Sequence, residues 1–240
     1  MALRGPPLRN PYSTLGLFAS ALNAVLITAS VLGASEAETA IRAATAQPAA
    51  TFLAYALYGV IPLIIWIAAT YLIAPFLFQR TFIRKLLLST RYVEGTWIEN
   101  VRLTDGSIGT AVICIAPDDS TFSLSGKTYD DQGELSSSFV ADYHQFCWPI
   151  LQYKHSNQPS KGQTGERRVE GIAELSFETS PTGPPSYYTG FFHHVGRRSR
   201  NQTEAWKVGQ DEIQLLDRPS SRVRLIQKYR KAARARGASR

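Results

Sequence analysis

Charge is nearly missing from the first third of the chain. Between residues 11 and 78 of 240, only Glu36, Glu38 and Arg42 ionise. Cysteine is scarce too: Cys114 and Cys147 are the only two, with no CxxC spacing. That excludes a disulfide framework and a thiolate metal site, and it favours a reducing compartment. Each cysteine sits in an apolar run, so buried free thiols are expected. The four histidines, His144, His155, His193 and His194, show neither HxxxH nor HxE spacing. The adjacent His193 and His194 fall on opposite faces of a strand, which suits no shared metal. No G-x-S-x-G, P-loop or G-x-G-x-x-G occurs, and Asp118-Asp119 and Asp130-Asp131 read as turn residues. The expectation is therefore no enzyme, no catalytic residue, no metal and no cofactor.

What is present first is apolar sequence. Two uncharged runs, Pro11 to Ala34 and Thr51 to Phe78, each exceed the roughly 20 residues a helix needs to cross a bilayer core. The first is diluted by polar residues. A cleaved signal peptide is its alternative reading, although the run is longer than the roughly 7–15 residues of a signal core. Arg4 and Arg9 precede the first run, and Arg80, Arg84, Lys85 and Arg91 follow the second. Basic flanks stay cytoplasmic, so both termini are expected inside. Asn23, mid-span, is a candidate for helix–helix assembly or for a bond within the hairpin. "QRTFIRKLLLSTR" reads as a short amphipathic helix at the lipid interface.

From Arg91 the texture changes to Gly, Ser, Thr, Tyr and Phe, with turn signals about every dozen residues. Eight strands are expected at about 92–103, 108–117, 120–129, 135–147, 148–155, 168–179, 186–195 and 204–216. Short hairpin connections make the sheet antiparallel. Alternation in "GIAELSF" and interior glycines at Gly95, Gly126, Gly171 and Gly190 favour a small closed barrel. The tail "RVRLIQKYRKAARARGASR" reads as a basic helix with a thin stripe of Leu225, Ile226 and Tyr229. It either attracts anionic lipid or nucleic acid, or packs on the barrel.

The fold class is thus a membrane-anchored all-β protein: two N-terminal transmembrane helices plus a small antiparallel eight-stranded β-barrel. Its expected parts are a transmembrane hairpin over 1–79, a basic interfacial linker helix over 80–91, a cytoplasmic barrel over 92–216 and a basic tail over 217–240. Aromatic residues interleave with basic ones in the barrel. Tyr129, Tyr153, Lys154, Arg197 and Arg198 are candidate ligand-binding residues, since stacking rings beside cations suit the bases and phosphates of a nucleotide.

The run of "YVEGTW", "LSGKTYDDQGEL", "LQYKHS", "GIAELSF" and "YYTGFFHHVG" behind an apolar hairpin resembles the two-transmembrane β-strand-rich effectors of CBASS, the bacterial cyclic-oligonucleotide anti-phage system. The resemblance covers roughly residues 11–216; the basic tail lies outside it. It implies that a nucleotide cyclase supplies a cyclic dinucleotide, that the barrel binds it, and that the chain homo-oligomerises and disrupts the lipids of the bacterial inner membrane. A second resemblance competes. Gly95-x-Trp97 is similar to the lipocalin opening motif, in which the tryptophan closes one end of the barrel beneath a basic residue from a late strand. That reading makes Gly95 and Trp97 structural and the ligand apolar. A ligand-free membrane scaffold is the third.

Overall fold

The computed structural model describes residues 79–103, 106–118, 121–159, 169–195 and 200–238, with scattered helical positions between 17 and 76. Asn23, Arg197 and Arg198 lie outside the described residues. The chain divides into two compact units, one over Tyr12–Leu87 and one that includes Leu88–Arg240. Among the described residues no helix is long and apolar enough to cross a membrane. That corrects the expected pair of transmembrane helices. Apolar composition is necessary for a span but does not make one; a span also needs an unbroken helix of about 20 residues. The second run contains Pro62 and Pro75, and an internal proline removes a helix hydrogen bond. The linker does form a helix, α1 (Thr81–Leu88), followed by a 3-10 turn at Ser89–Arg91.

The second unit is built on eight strands: β1 (Gly95–Arg102), β2 (Ile108–Asp118), β3 (Thr121–Tyr129), β4 (Leu135–Cys147), β5 (Ile150–Pro159), β6 (Val169–Phe177), β7 (Tyr187–His194) and β8 (Asn201–Lys207). They close in chain order, β8 pairing back onto β1, and every pair is antiparallel. Closure leaves no sheet edge to cap. The period of two divides each strand between lumen and exterior. Trp97, Ile113, Leu124, Leu151, Leu175 and Tyr188 fall on the inner face and are 0–1% exposed. The alternation expected in "GIAELSF" holds: Gly171, Ala173, Leu175 and Phe177 are buried, and Ile172, Glu174, Ser176 and Glu178 are exposed.

The strand boundaries differ most from expectation at β5 and β8. β5 continues to Pro159, and β8 begins at Asn201 and stops at Lys207. Residues 210–217 are helical instead, as α2 (Gln210–Ile213) and a 3-10 turn (Gln214–Asp217). A short apolar run such as Ile213 to Leu216 carries no period that separates strand from helix. Here the β1–β8 ladder ends at Trp97 with Lys207, one further backbone bond runs from Val208 N–H to the Thr96 carbonyl at 2.8 Å, and Gly209 then caps α2. The cysteines are free but not buried: Cys114 is exposed and Cys147 half-buried. Cys114 pairs with Thr96 and Ser125 on the outward face of the barrel.

The basic tail packs on the barrel as α3 (Pro219–Ala238). Leu225, Ile226, Tyr229 and Ala233 are all buried, and Leu225 and Tyr229 join Ile98 and Val208 in a core outside the lumen. Its cations are engaged as well. Arg230 pairs with Asp131 and donates to Thr110 Oγ1 at 2.7 Å. Arg222 donates to the Gly133 carbonyl at 3.0 Å and lies 4.9 Å from the Tyr129 ring. Asn100 donates to the Tyr229 carbonyl at 3.2 Å.

Candidate functional site

The two ends of the lumen differ in chemistry. One end is an aromatic floor. Trp97 meets Tyr188 at 5.1 Å and Phe177 at 5.4 Å between ring centres. Phe177 in turn meets Phe146 at 5.9 Å and stacks with Trp148 at 6.4 Å. The indole N–H of Trp97 donates to the Val93 carbonyl at 3.0 Å, so its one polar atom is satisfied. The Lys207 ammonium, from the last strand, lies 5.4 Å from the Trp97 ring and 4.8 Å from that of Tyr92. Gly95 makes room for this arrangement: its φ is +131°, and a Cβ there would come within 2.9 Å of the Lys207 stem. Such a conformation suits glycine alone. The spacing Gly95-x-Trp97 thus has a physical reason, which is passage for Lys207.

The opposite end, where β1 leads into β2, β3 into β4, β5 into β6 and β7 into β8, is polar and lined by stacked rings. Alternation places Phe139, Tyr153, His155, Asn157, Phe192, Asn201 and Thr203 on its inner face. Phe139 and Tyr153 lie within 9° of parallel at 6.3 Å, and His155 packs on Phe139 at 4.7 Å and Phe192 at 5.3 Å. Glycines admit the rings: a Cβ at Gly171 would strike both Phe192 and His155. Three buried polar atoms here, His155 Nδ1, Asn157 Oδ1 and Thr203 Oγ1, make no hydrogen bond among the described residues. A buried polar atom left so costs about 1–3 kcal/mol, and native folds carry few.

Below these groups, Tyr188 donates its hydroxyl to Glu99 Oε2 at 2.7 Å. Glu99 is 5% exposed and pairs across the sheet with Ala111 and Ala205. Burial pushes its carboxyl up to about 7, against a smaller lowering by the Tyr188 bond. Burial, with His194 close by, pushes the His155 imidazole down to about 4. Tyr153 and Tyr188 are held well above the usual phenol range, first by burial and then by the Glu99 charge. The interior thus holds a carboxyl raised by burial at its centre, the Lys207 ammonium over its floor and hydrogen-bonding groups between rings at its outer end.

Of the residues expected to bind a ligand, the three described ones, Tyr129, Tyr153 and Lys154, do not converge. Among these three Tyr153 is the one inside, 3% exposed, at the polar end of the lumen. Tyr129 lies on the outer face beneath Arg222 of α3. Lys154 points outward and pairs with Glu170 at 2.9 Å. Tyr153 and Lys154 are adjacent on one strand, and the period of two sends them to opposite faces. Glu99, His155, Asn157 and Thr203 were not singled out by sequence. Their one visible signal is polarity at positions where strand alternation calls for core. Among the described residues no cluster of His, Cys, Asp and Glu is placed to hold a metal.

No family model matches the chain, and neither does any curated protein or solved structure. The fold defines the class: a closed, eight-stranded, up-and-down antiparallel β-barrel with an outer C-terminal helix.

Proposed function

We propose that the barrel is a sensor that takes a cyclic dinucleotide into the polar end of its lumen, in an anti-phage effector of the CBASS kind. The observation that carries it is the set of buried, unpartnered His155 Nδ1, Asn157 Oδ1 and Thr203 Oγ1 between near-parallel aromatic rings. Rings stack on bases, and amide, hydroxyl and imidazole groups read base edges. The same proposal has the barrel in the cytoplasm at the bacterial inner membrane. Ligand made by a partner nucleotide cyclase drives homo-oligomerisation and membrane damage, which requires the assembled state to bind the ligand more tightly.

Thermal shift of the full chain against cyclic di- and trinucleotides tests this. A ligand that binds only the folded state adds about 2.7 kcal/mol at a hundredfold excess over its Kd. Thr203→Val should leave the unliganded protein as stable or more so, since it removes an unpaired hydroxyl at nearly constant shape, and should abolish the shift. A shift that Thr203→Val leaves unchanged refutes the lumen as the site.

A second reading has its own observation. Lys207 over Trp97 beside Gly95 is the arrangement implied by the lipocalin resemblance, which would make the ligand apolar. Stabilisation by fatty acids and by no nucleotide would favour it.

A further inference from the structure

A second cavity lies outside the barrel, and the strand register builds it. On the outer face, Ile108, Arg102, Gln202 and Phe191 form one row across β2, β1, β8 and β7; Thr110, Asn100, Glu204 and Thr189 form the next. The third row, Val112, Ile98, Trp206 and Tyr187, lies beneath the large residues of α3, with Tyr229 meeting Trp206 at 6.0 Å. One turn further along, α3 presents the small Ala233 toward the first two rows. What remains is a cavity of about 390 Å³ between α3 and the first two rows, with Arg236 on its helix wall.

Charge in this cavity is one-sided. Arg102 stands at its edge, Arg236 opposite lies 4.1 Å from the Tyr187 ring, and the Arg200 guanidinium lies 3.5 Å over Phe191. Glu204 is the one carboxylate of the lining, and it already accepts the Tyr187 hydroxyl at 3.1 Å. The two lining guanidinium groups, Arg102 and Arg236, against one carboxylate leave a net charge of +1, with Arg200 beside the lining over Phe191. Gln202 and Thr189 offer neutral hydrogen bonds, and Ile108 and Ala233 offer apolar contact. Guanidinium groups recognise phosphate by paired N–H donors, and the volume is in the range of small-molecule sites.

We propose that this groove between α3 and the β7–β8–β1 face, whose lining also includes Gly190 and Thr203 of the barrel wall, is a binding site for a small phosphate ester of mononucleotide size. Arg102 and Arg236 hold the phosphate, and the organic body lies toward Phe191 and Ala233. The proposal does not depend on what the lumen binds.

Calorimetric titration of the full chain with AMP and with inorganic phosphate tests it, with vesicles of anionic phospholipid as a third arm. Saturable binding of AMP, tighter than that of phosphate, is expected. Arg102→Gln should weaken it at least tenfold; that side chain is exposed at a strand end, so the fold is not at stake. Ala233→Leu, which fills the groove, should weaken it similarly, while His155→Phe, inside the lumen and away from the groove, should not. Absence of saturable AMP binding, or binding that Arg102→Gln leaves unchanged, overturns the proposal. So does Arg102-dependent binding to vesicles with none to AMP, which would make the groove a headgroup contact.

Discussion

The Tyr188 hydroxyl donates to Glu99 Oε2 across 2.7 Å inside the barrel, tying β7 to β1 through the lumen. That bond partly offsets the cost of burying a carboxylate, yet burial wins and raises Glu99 to about 7 from 4.5. His155, at the same end, falls to about 4 from 6.5.

These two groups make opposing pH dependences. The folded state holds the Glu99 proton more tightly than the unfolded chain does, so stability falls as pH rises from about 4.5 to 7. The folded state holds the His155 proton less tightly, so stability is lost as pH falls from about 6.5 to 4. Each is worth about 3 kcal/mol at 1.4 kcal/mol per unit. The contributions of these two groups should therefore nearly cancel between about pH 4.5 and 6.5. Glu99→Gln should expose the histidine slope, with stability rising with pH. His155→Phe should expose the opposite slope. Denaturant midpoints across this range check both, and a flat profile in either variant would contradict the burial argument.

Trp97→Ala should cost about 3–5 kcal/mol, the usual loss for a buried large aromatic, because Trp97 is 0% exposed and closes the floor. Gly95→Ala should be destabilising as well, through the positive φ and the Lys207 stem. Lys207→Met keeps the stem and removes the ammonium, so it should cost only about 1 kcal/mol of ring attraction. Urea denaturation of the three variants gives the ranking. A Lys207→Met loss equal to that of Trp97→Ala would show that the charge, not the ring, holds the floor.

Removing α3 should uncover Ile98, Val208 and Trp206. Truncation before Pro219 should lower the melting temperature by more than any single surface substitution and raise binding of a hydrophobic dye. Within the helix, Tyr229→Ala should cost about 3 kcal/mol. Arg230→Ala, which loses contacts to Asp131 and Thr110, should cost about 1 kcal/mol. A truncated chain as stable as the full one would reduce α3 to an appendage.

Lys154→Ala should leave both stability and lumen binding nearly unchanged. Its pair with Glu170 is solvent-exposed on the outer face, and such pairs are worth about 0–1 kcal/mol. Tyr129→Ala should also spare lumen binding, since that ring lies under Arg222 outside the barrel. Thermal shift with a lumen ligand measures both, and loss of the shift in Lys154→Ala would place the site on the outer wall.

Strand number, order and inner face were legible in the sequence, because turn residues and a period of two are local signals. The Gly95-x-Trp97 pair was legible too, although its partner Lys207 lies more than a hundred residues away and only closure of β8 on β1 brings them together. The amphipathic α1 was visible from its own spacing. Apolar length upstream was visible as composition; among the described residues it does not become a spanning helix, since continuity depends on more than hydrophobicity.

The sequence by itself determined a barrel of eight antiparallel strands and the absence of familiar catalytic and metal motifs, because alternation and spacing are written residue by residue. Tertiary structure alone decided which polar residues share a space. Glu99 meets Tyr188 and His155 meets Phe192 only because the sheet curls closed. The basic tail became a packed helix because its thin stripe of Leu225, Ile226 and Tyr229 found an outer wall where Ile98, Val112 and Trp206 already broke the polar alternation. That complementarity joins two segments far apart in the chain, and neither segment reveals it alone.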